Sequence, residues 1–312
     1  MRYSKIKLLT TNHMNMFAAF GRTFKKGDFK GAMNAIVDER AGAGLPHGAL
    51  MDDYIFSEEH YWLNKTKRNV IYPETEVDVV NLLNADYDVD DAKGFNFPMS
   101  NFVFTLPANF EYDGVRLPSF MVTYMRTADH VKTVTNALLS DFHRPEGNVM
   151  VKPENLDKNA LAIIIPTDDG EFSRVMTHHT TIPLLLRSKT IKEYQTHVGN
   201  MSDATLSGDL NEYESKQQFL ALKLVSAFSA YVSAGEEEAL TVGMRDPKAR
   251  ESCLPKGVKT VTAYTFRTVF GRNIKDKKKW ADEPETQLFV SRKSNTWNVK
   301  KLQTKTDFGG LD

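Results

Sequence analysis

LNEYESKQQFLALKLVSAFSAYVSAG, residues 210–235, is the stretch around which the rest of the chain organises. Tyr213, Leu220, Leu224, Phe228 and Tyr231 recur at helical spacing on one stripe, and Gly235 supplies a stop. Leu210 to Ala234 is therefore predicted to be the longest helix, and its alanines and serines suit close packing inside a body. Its most apolar part, Phe219 to Ala234, is interrupted by Lys223 and three serines, so it predicts no membrane span.

Upstream of it, helices and short strands alternate. Asp28 stands ahead of a helix with Phe29, Met33, Ile36 and Val37 on one face, ending before Gly42. Pro73 is expected to open a second helix, continued by Val77, Val80, Leu83 and Asn84, because a first-turn amide needs no partner. Thr127 heads a third, with Val131, Val134, Leu138 and Phe142, and Thr190 with Glu193 forms a capping box ahead of Ile191, Tyr194 and Val198. Phe102 to Leu106, Ser119 to Tyr124 and Leu161 to Ile165 are strand candidates, the last closed by the turn Asp168-Asp169-Gly170.

Downstream the character changes. Lys259 to Phe270 alternates, with Thr260, Thr262, Tyr264, Phe266, Thr268 and Phe270 on one face and Val261, Ala263, Thr265, Arg267 and Val269 on the other. Gln287 to Arg292 and Thr296 to Leu302 add two strands. The expected fold is α+β, with a helical body carrying some strands over residues 1–244. A basic, aromatic antiparallel sheet over residues 245–312 packs on it.

The 312 residues are 41% apolar and 26% charged, which is globular composition and not that of a disordered chain. The single cysteine, Cys253, excludes a disulfide scaffold and a cysteine-rich zinc site and suits a reducing cytoplasm. The opening MRYSKIKLLTTNHM is basic, with an apolar stretch too short for a signal peptide. Forty Lys plus Arg balance forty Asp plus Glu, but unevenly. Residues 1–30 hold seven cations against one acid, 31–95 five against thirteen, 96–244 twelve against eighteen, and 245–306 sixteen against six. Basic ends around an acidic body point to a polyanionic partner for the ends.

No phosphate-cradling G-x-x-x-x-G-K-[ST] loop, H-E-x-x-H or G-x-S-x-G is present, so no catalytic residue is assigned and no cofactor is expected. Gly42, Gly44 and Gly48 follow a helix, where an ordinary loop is the better reading. His178, His179, His197 and Asp168 lack metal-ligand spacing. Asp86, Asp88, Asp90 and Asp91 resemble a calcium loop, but Asp91 and Phe97 stand where that loop needs glycine and glutamate. Cys253 has Arg250 and Lys256 near it, yet residues 245–306 contain no histidine to activate it.

The informative stretch is GRNIKDKKKWADEPE, residues 271–285. Arg272, Lys275, Lys277, Lys278 and Lys279 can neutralise phosphates, and Trp280 can stack on an unpaired base. Tyr264, Arg267, Arg292, Lys293 and Trp297 extend this interleaving of cations and aromatics across the adjoining strands. Stacking needs bases already exposed, so the pattern favours single strands over duplex.

The long helix, the basic aromatic end KTVTAYTFRTVFGRNIKDKKKWADEPETQLFVSRKSNTWNVKK and the total length together resemble a known family. It is the Drc-type single-stranded-DNA-binding RNA polymerase cofactors of lytic podophages that carry a giant virion RNA polymerase. The resemblance implies a fold that is not an OB barrel and a preference for single strands. It also implies recruitment of a phage-encoded RNA polymerase to melted middle promoters in the bacterial host cytoplasm. The tip TDFGGLD, with two acids, is a weak form of the acidic tail by which single-strand binders recruit partners. The leading expectation is a non-enzymatic, sequence-tolerant single-stranded-DNA-binding transcription or replication accessory. The alternatives are an adaptor or inhibitor of a host protein, and a metal-dependent nuclease using Asp86, Asp88, Asp168 and Asp169.

Overall fold

The computed structural model describes residues 1–25, 27–43, 51–130, 132, 156–168, 170–198, 212–234, 239–243, 251–268, 286–293 and 296–303. Helices α1 (Leu9–Ala19), α2 (Phe29–Gly42) and α3 (Met51–Asn64) precede β1 (Asn69–Pro73), α4 (Glu76–Asn84) and β2 (Asp86–Asp88). Then come β3 (Asn101–Phe104), the small hairpin β4 (Glu111–Tyr112) and β5 (Val115–Arg116), β6 (Phe120–Arg126), β7 (Asn159–Pro166) and β8 (Phe172–His178). Helices α5 (Ile182–Arg187), α6 (Ile191–Val198) and α7 (Glu212–Ser233) lead to β9 (Leu240–Val242), β10 (Thr262–Phe266), β11 (Thr286–Lys293) and β12 (Thr296–Gln303).

The class is α+β, as expected, but the sheet is organised differently. Seven strands form one mixed sheet in the order β8-β7-β6-β3-β1-β10-β9, with β1 parallel to both β3 and β10 and the other pairs antiparallel. The basic third therefore does not build an antiparallel sheet of its own. Its strand β10 pairs with β1 and β9, while β11 and β12 form a hairpin whose other neighbour is β2, in parallel. Alternation in 259–270 is a strand signal, and a strand forms there. Which strands flank it is a long-range choice that alternation does not encode.

Both faces of the large sheet are covered, and successive strand residues divide between them. Ile71, Phe102, Phe104, Phe120, Val122, Leu161 and Ile163 face the core that includes α4 and α7. Val70, Tyr72, Val103, Met121, Ile164 and Ala263 face the core under α1, α2 and α3. Helix α7 runs through the first core with Leu224, Val225, Ala227, Phe228, Ala230 and Tyr231 fully buried. Phe228 meets Phe102, Phe104 and Phe266 at ring-centroid distances of 6.2, 5.4 and 5.2 Å.

Local expectations fared unevenly. Asp28 accepts from the Gly31 amide at 2.9 Å at the start of α2. Pro73, in contrast, ends β1; α4 begins at Glu76, behind a Thr75 capping box closed by Asp78. This later start rotates the buried face to Val79, Leu82 and Leu83 and leaves Val77 46% exposed. Glu193 donates its amide to the Thr190 hydroxyl at 3.2 Å, while its carboxylate accepts from Lys189 instead of Thr190. Thr127 starts a helical turn and donates its hydroxyl to the Lys158 carbonyl, but Val131, Val134, Leu138 and Phe142 lie outside the described residues. The turn after β7 closes with the Thr167 amide on the Glu171 carbonyl and Gly170 at φ +91°. Among the described residues no helix is long and apolar enough to cross a membrane.

Candidate nucleic-acid interface

The hairpin β11–β12 places Arg292 directly opposite Trp297 in register, and Lys293 opposite Thr296. Leu288 and Val290 face inward, so Arg292, two residues on, also turns toward the body, where its side chain is only 10% exposed. Its guanidinium donates to the Asp91 carboxylate at 2.7 Å and lies 5.8 Å from the Trp297 ring centre. The Trp297 indole N–H donates to the Gly94 carbonyl at 3.3 Å, and its ring stands edge-on to Phe95 at 5.2 Å. Gly94 has φ +82°, and a Cβ there would come within 2.8 Å of the Arg292 side chain. Arg292 and Trp297 thus clamp the 91–95 loop, which occupies the faces that were expected to meet DNA.

Two other expected contacts lie on β10 and just past it. Tyr264 is half-buried against the α7 core. Arg267 stands 3.9 Å from the Glu74 carboxylate, both largely shielded from solvent. Acids from the 31–95 block therefore hold two of the predicted DNA-contacting arginines, as charge blocks that fold back on each other do.

Arg272, Lys275, Lys277, Lys278, Lys279 and Trp280 lie outside the described residues. The points where that segment departs and returns are defined. Thr268 donates its amide and hydroxyl to one oxygen of Asp78 at 2.7 and 2.9 Å, and Asn81 donates to the Thr268 hydroxyl at 3.0 Å. The other Asp78 oxygen accepts from the Thr75 amide and hydroxyl, both at 2.7 Å. Burial raises the Asp78 pKa against these bonds. At the far end, β11 is held between β2 and β12. The cationic segment is thus strung between an anchored strand end and an anchored hairpin.

A second charged constellation, unsignalled by sequence spacing, is buried beside α3. Glu58 accepts from Arg174 Nε at 2.9 Å and Nη2 at 2.8 Å and from the Thr123 hydroxyl at 3.3 Å, with His130 Nε2 at 2.6 Å. Arg174 lies 5.0 Å above the Tyr54 ring, which stacks on His130. Burial would raise the Glu58 pKa, but the Arg174 and His130 charges and hydrogen bonds hold it at about 2. Neighbouring Glu59 caps α1 from another helix, accepting from the Leu9 amide at 2.6 Å, the Thr10 amide at 2.9 Å and the Thr10 hydroxyl at 2.6 Å. Burial lifts its pKa to about 7 despite these bonds, with the Glu58 charge adding to the rise. His130 and Arg174 stand 72 and 116 residues from Glu58 along the chain, separations no motif spans. With Glu58 and His130 closed to solvent, this cluster joins α3 to the sheet and offers no surface to a substrate.

Among the described residues no group of three or more His, Cys, Asp or Glu is placed to hold a metal ion. His179 has its Nδ1 2.8 Å from the Tyr124 hydroxyl and its Nε2 2.6 Å from the Ala92 carbonyl, and burial lowers its pKa. Asp86 and Asp88 belong to β2, and Asp90 lies 3.8 Å from Arg187, so these acids are spread along a strand and its exit. No family model, no curated protein and no solved structure matches this chain.

Proposed function

We propose that this protein is a non-enzymatic, sequence-tolerant binder of single-stranded DNA, capturing the strand on the Arg272–Trp280 segment. The observation that carries the reading is one stretch with five cations and an adjacent indole. It is tethered at Thr268 by Asp78 and at β11 by β2, and Arg267 and Arg292, outside that stretch, are held by Glu74 and Asp91. Lysines attract phosphates without demanding a fixed geometry, and stacking on Trp280 adds about 1–3 kcal/mol per base. The acidic body repels DNA and confines it to the basic side. The partner implied is a phage-encoded RNA polymerase, delivered in the host cytoplasm to DNA already melted.

The test is titration of fluorescent oligo-dT at several salt concentrations. Changing Lys275, Lys277, Lys278 and Lys279 to Ser weakens binding and makes the salt slope shallower by about 0.7 for each phosphate that is no longer neutralised. Trp280→Ala weakens binding by about 1–3 kcal/mol with the slope intact, since stacking releases no counterions. Duplex of the same sequence competes less well than the single strand. Failure of the wild type to bind any oligonucleotide at about 50 mM salt overturns the reading in favour of a protein-binding adaptor. Degradation of the strand on adding magnesium or manganese overturns it in favour of a nuclease.

A further inference from the structure

The two basic ends of the chain meet at one end of the large sheet. β1 and β10 are parallel neighbours, so the segments leading into them arrive side by side, about 4.8 Å apart. Lys65 and Lys67 lie on the approach to β1, and Lys256 and Lys259 on the approach to β10. The Thr262 amide donates to the Lys67 carbonyl at 3.1 Å, tying the two approaches together. A third segment joins through the turn after Lys25, where Gly27 packs directly on Gly257. The Ile6 amide donates to the Cys253 carbonyl at 2.8 Å, fastening the N-terminal block to the C-terminal one a second time.

Lys25, Lys65, Lys67, Lys256 and Lys259 are all exposed, and none forms an ion pair with a described residue. Asp28, in the same turn as Lys25, accepts from the Gly31 amide of α2 and forms no ion pair with these lysines, and Glu251 has a partner of its own. Arg68, between Lys67 and β1, donates instead to the Leu63 carbonyl at 2.9 Å. Five lysines drawn from three separate parts of the chain give this end a net positive charge, and a net positive patch concentrates polyanions above it. Close packing of two cationic turns also requires glycine at both contact positions, with φ +86° at Gly27 and +99° at Gly257.

We infer that this end of the sheet is a second contact surface for the phosphate backbone of a bound single strand, separate from the Arg272–Trp280 segment. The identification of the polyanion as single-stranded DNA rests on the function proposed above; the surface itself rests on the lysines. It lies at the N-terminal end of β10, whereas the Arg272–Trp280 segment departs from the C-terminal end, about 13 Å further along the strand. An oligonucleotide long enough to reach both surfaces gains affinity over a short one. The surface acts through the charge of its lysines, so it sets salt dependence and length dependence but not base preference.

The experiment compares wild type, the loop variant with Lys275, Lys277, Lys278 and Lys279 changed to Ser, and K65S/K67S/K256S/K259S. Each is titrated with oligo-dT of about 3 nucleotides, too short to span the two surfaces, and of about 30 nucleotides across a salt series. The sheet-end variant is expected to keep wild-type affinity for the short strand and to bind the long one at least tenfold more weakly. Its salt slope on the long strand falls by about 0.7 for each phosphate it no longer neutralises. The pairs K65S/K67S and K256S/K259S, each with part of that effect, serve if the quadruple variant does not fold. Wild-type slope and affinity on the long strand in a folded variant overturn the inference while leaving the loop reading intact. Absence of all binding by the wild type defeats the functional reading first. Weakened binding to phosphatidylserine vesicles with the oligonucleotide slope unchanged also overturns it, in favour of a membrane surface.

Discussion

Gly257 sits against Gly27 so closely that a Cβ built on Gly257 would lie 2.8 Å from both the Cα and the nitrogen of Gly27. Gly257 also has φ +99°, a conformation that costs an L-residue about 1–2 kcal/mol. Gly257→Ala therefore combines backbone strain with a backbone clash and is expected to destabilise by about 2 kcal/mol or more. Gly114, at φ +71° with nothing within 4 Å of its Cβ position, isolates the strain. Gly114→Ala should lower the denaturation midpoint by only about half as much. Equal effects in urea titrations would show that the Gly27–Gly257 approach is not close-packed.

The core under α7 makes a second prediction. Leu224 is fully buried, one turn from Phe228 and its aromatic neighbours. Leu224→Ala leaves a cavity and should cost about 2–5 kcal/mol in chemical denaturation. Oligonucleotide affinity of the folded fraction stays at the wild-type value, because α7 lies inside the body. Weakened affinity with an unchanged melting temperature would move the binding face onto α7.

Two tryptophans in the basic third are expected to behave oppositely. Trp297 is held by Phe95, Gly94 and Arg292, so Trp297→Ala should lose about 1–3 kcal/mol of stability, less than a fully buried Trp loses, with little change in strand binding. Trp280→Ala should change strand binding and leave stability within about 0.5 kcal/mol. Parallel melting and titration of both variants decide which indole stacks on bases.

Glu58 and Glu59 predict opposite pH dependences. With its folded pKa held at about 2, Glu58 contributes stability above its unfolded value of 4.5 that is lost as pH falls through about 2. Glu59 has its folded pKa raised to about 7, so its contribution is full below 4.5 and is lost as pH rises through about 7. Between pH 4.5 and 7 wild type should lose up to about 3 kcal/mol relative to Glu59→Gln, whose neutral amide cannot ionise. Denaturation curves of both proteins at pH 5, 6 and 7 test the difference, and parallel curves would rule out ionisation of Glu59 in this window. Glu58→Ala, by stranding Arg174 and His130, should cost about 3–5 kcal/mol.

Residue order along the chain was enough to mark the local elements and the α+β class. Spacing marked α7 and its buried stripe, a continuous apolar run marked β7, alternation marked β10, strand candidates covered the β11–β12 pair, and Asp28 marked the start of α2, because each signal acts within a few residues. The cationic stretch and the charge blocks were equally legible, being properties of composition. Long-range packing settled the rest: β10 lies between β1 and β9, and Arg292 and Trp297 clamp the 91–95 loop. Packing also brought Lys25, Lys65, Lys67, Lys256 and Lys259 to one end of the sheet and buried Glu58 with Arg174. These outcomes depend on strand order and on which distant segments exclude water together. A single strand's pattern is the same whichever neighbours it finds, so position in the sheet cannot be read from it. Even the misplaced start of α4 follows this rule: Pro73 was compatible with a first helical turn, and pairing of β1 with β10 claimed it for the strand.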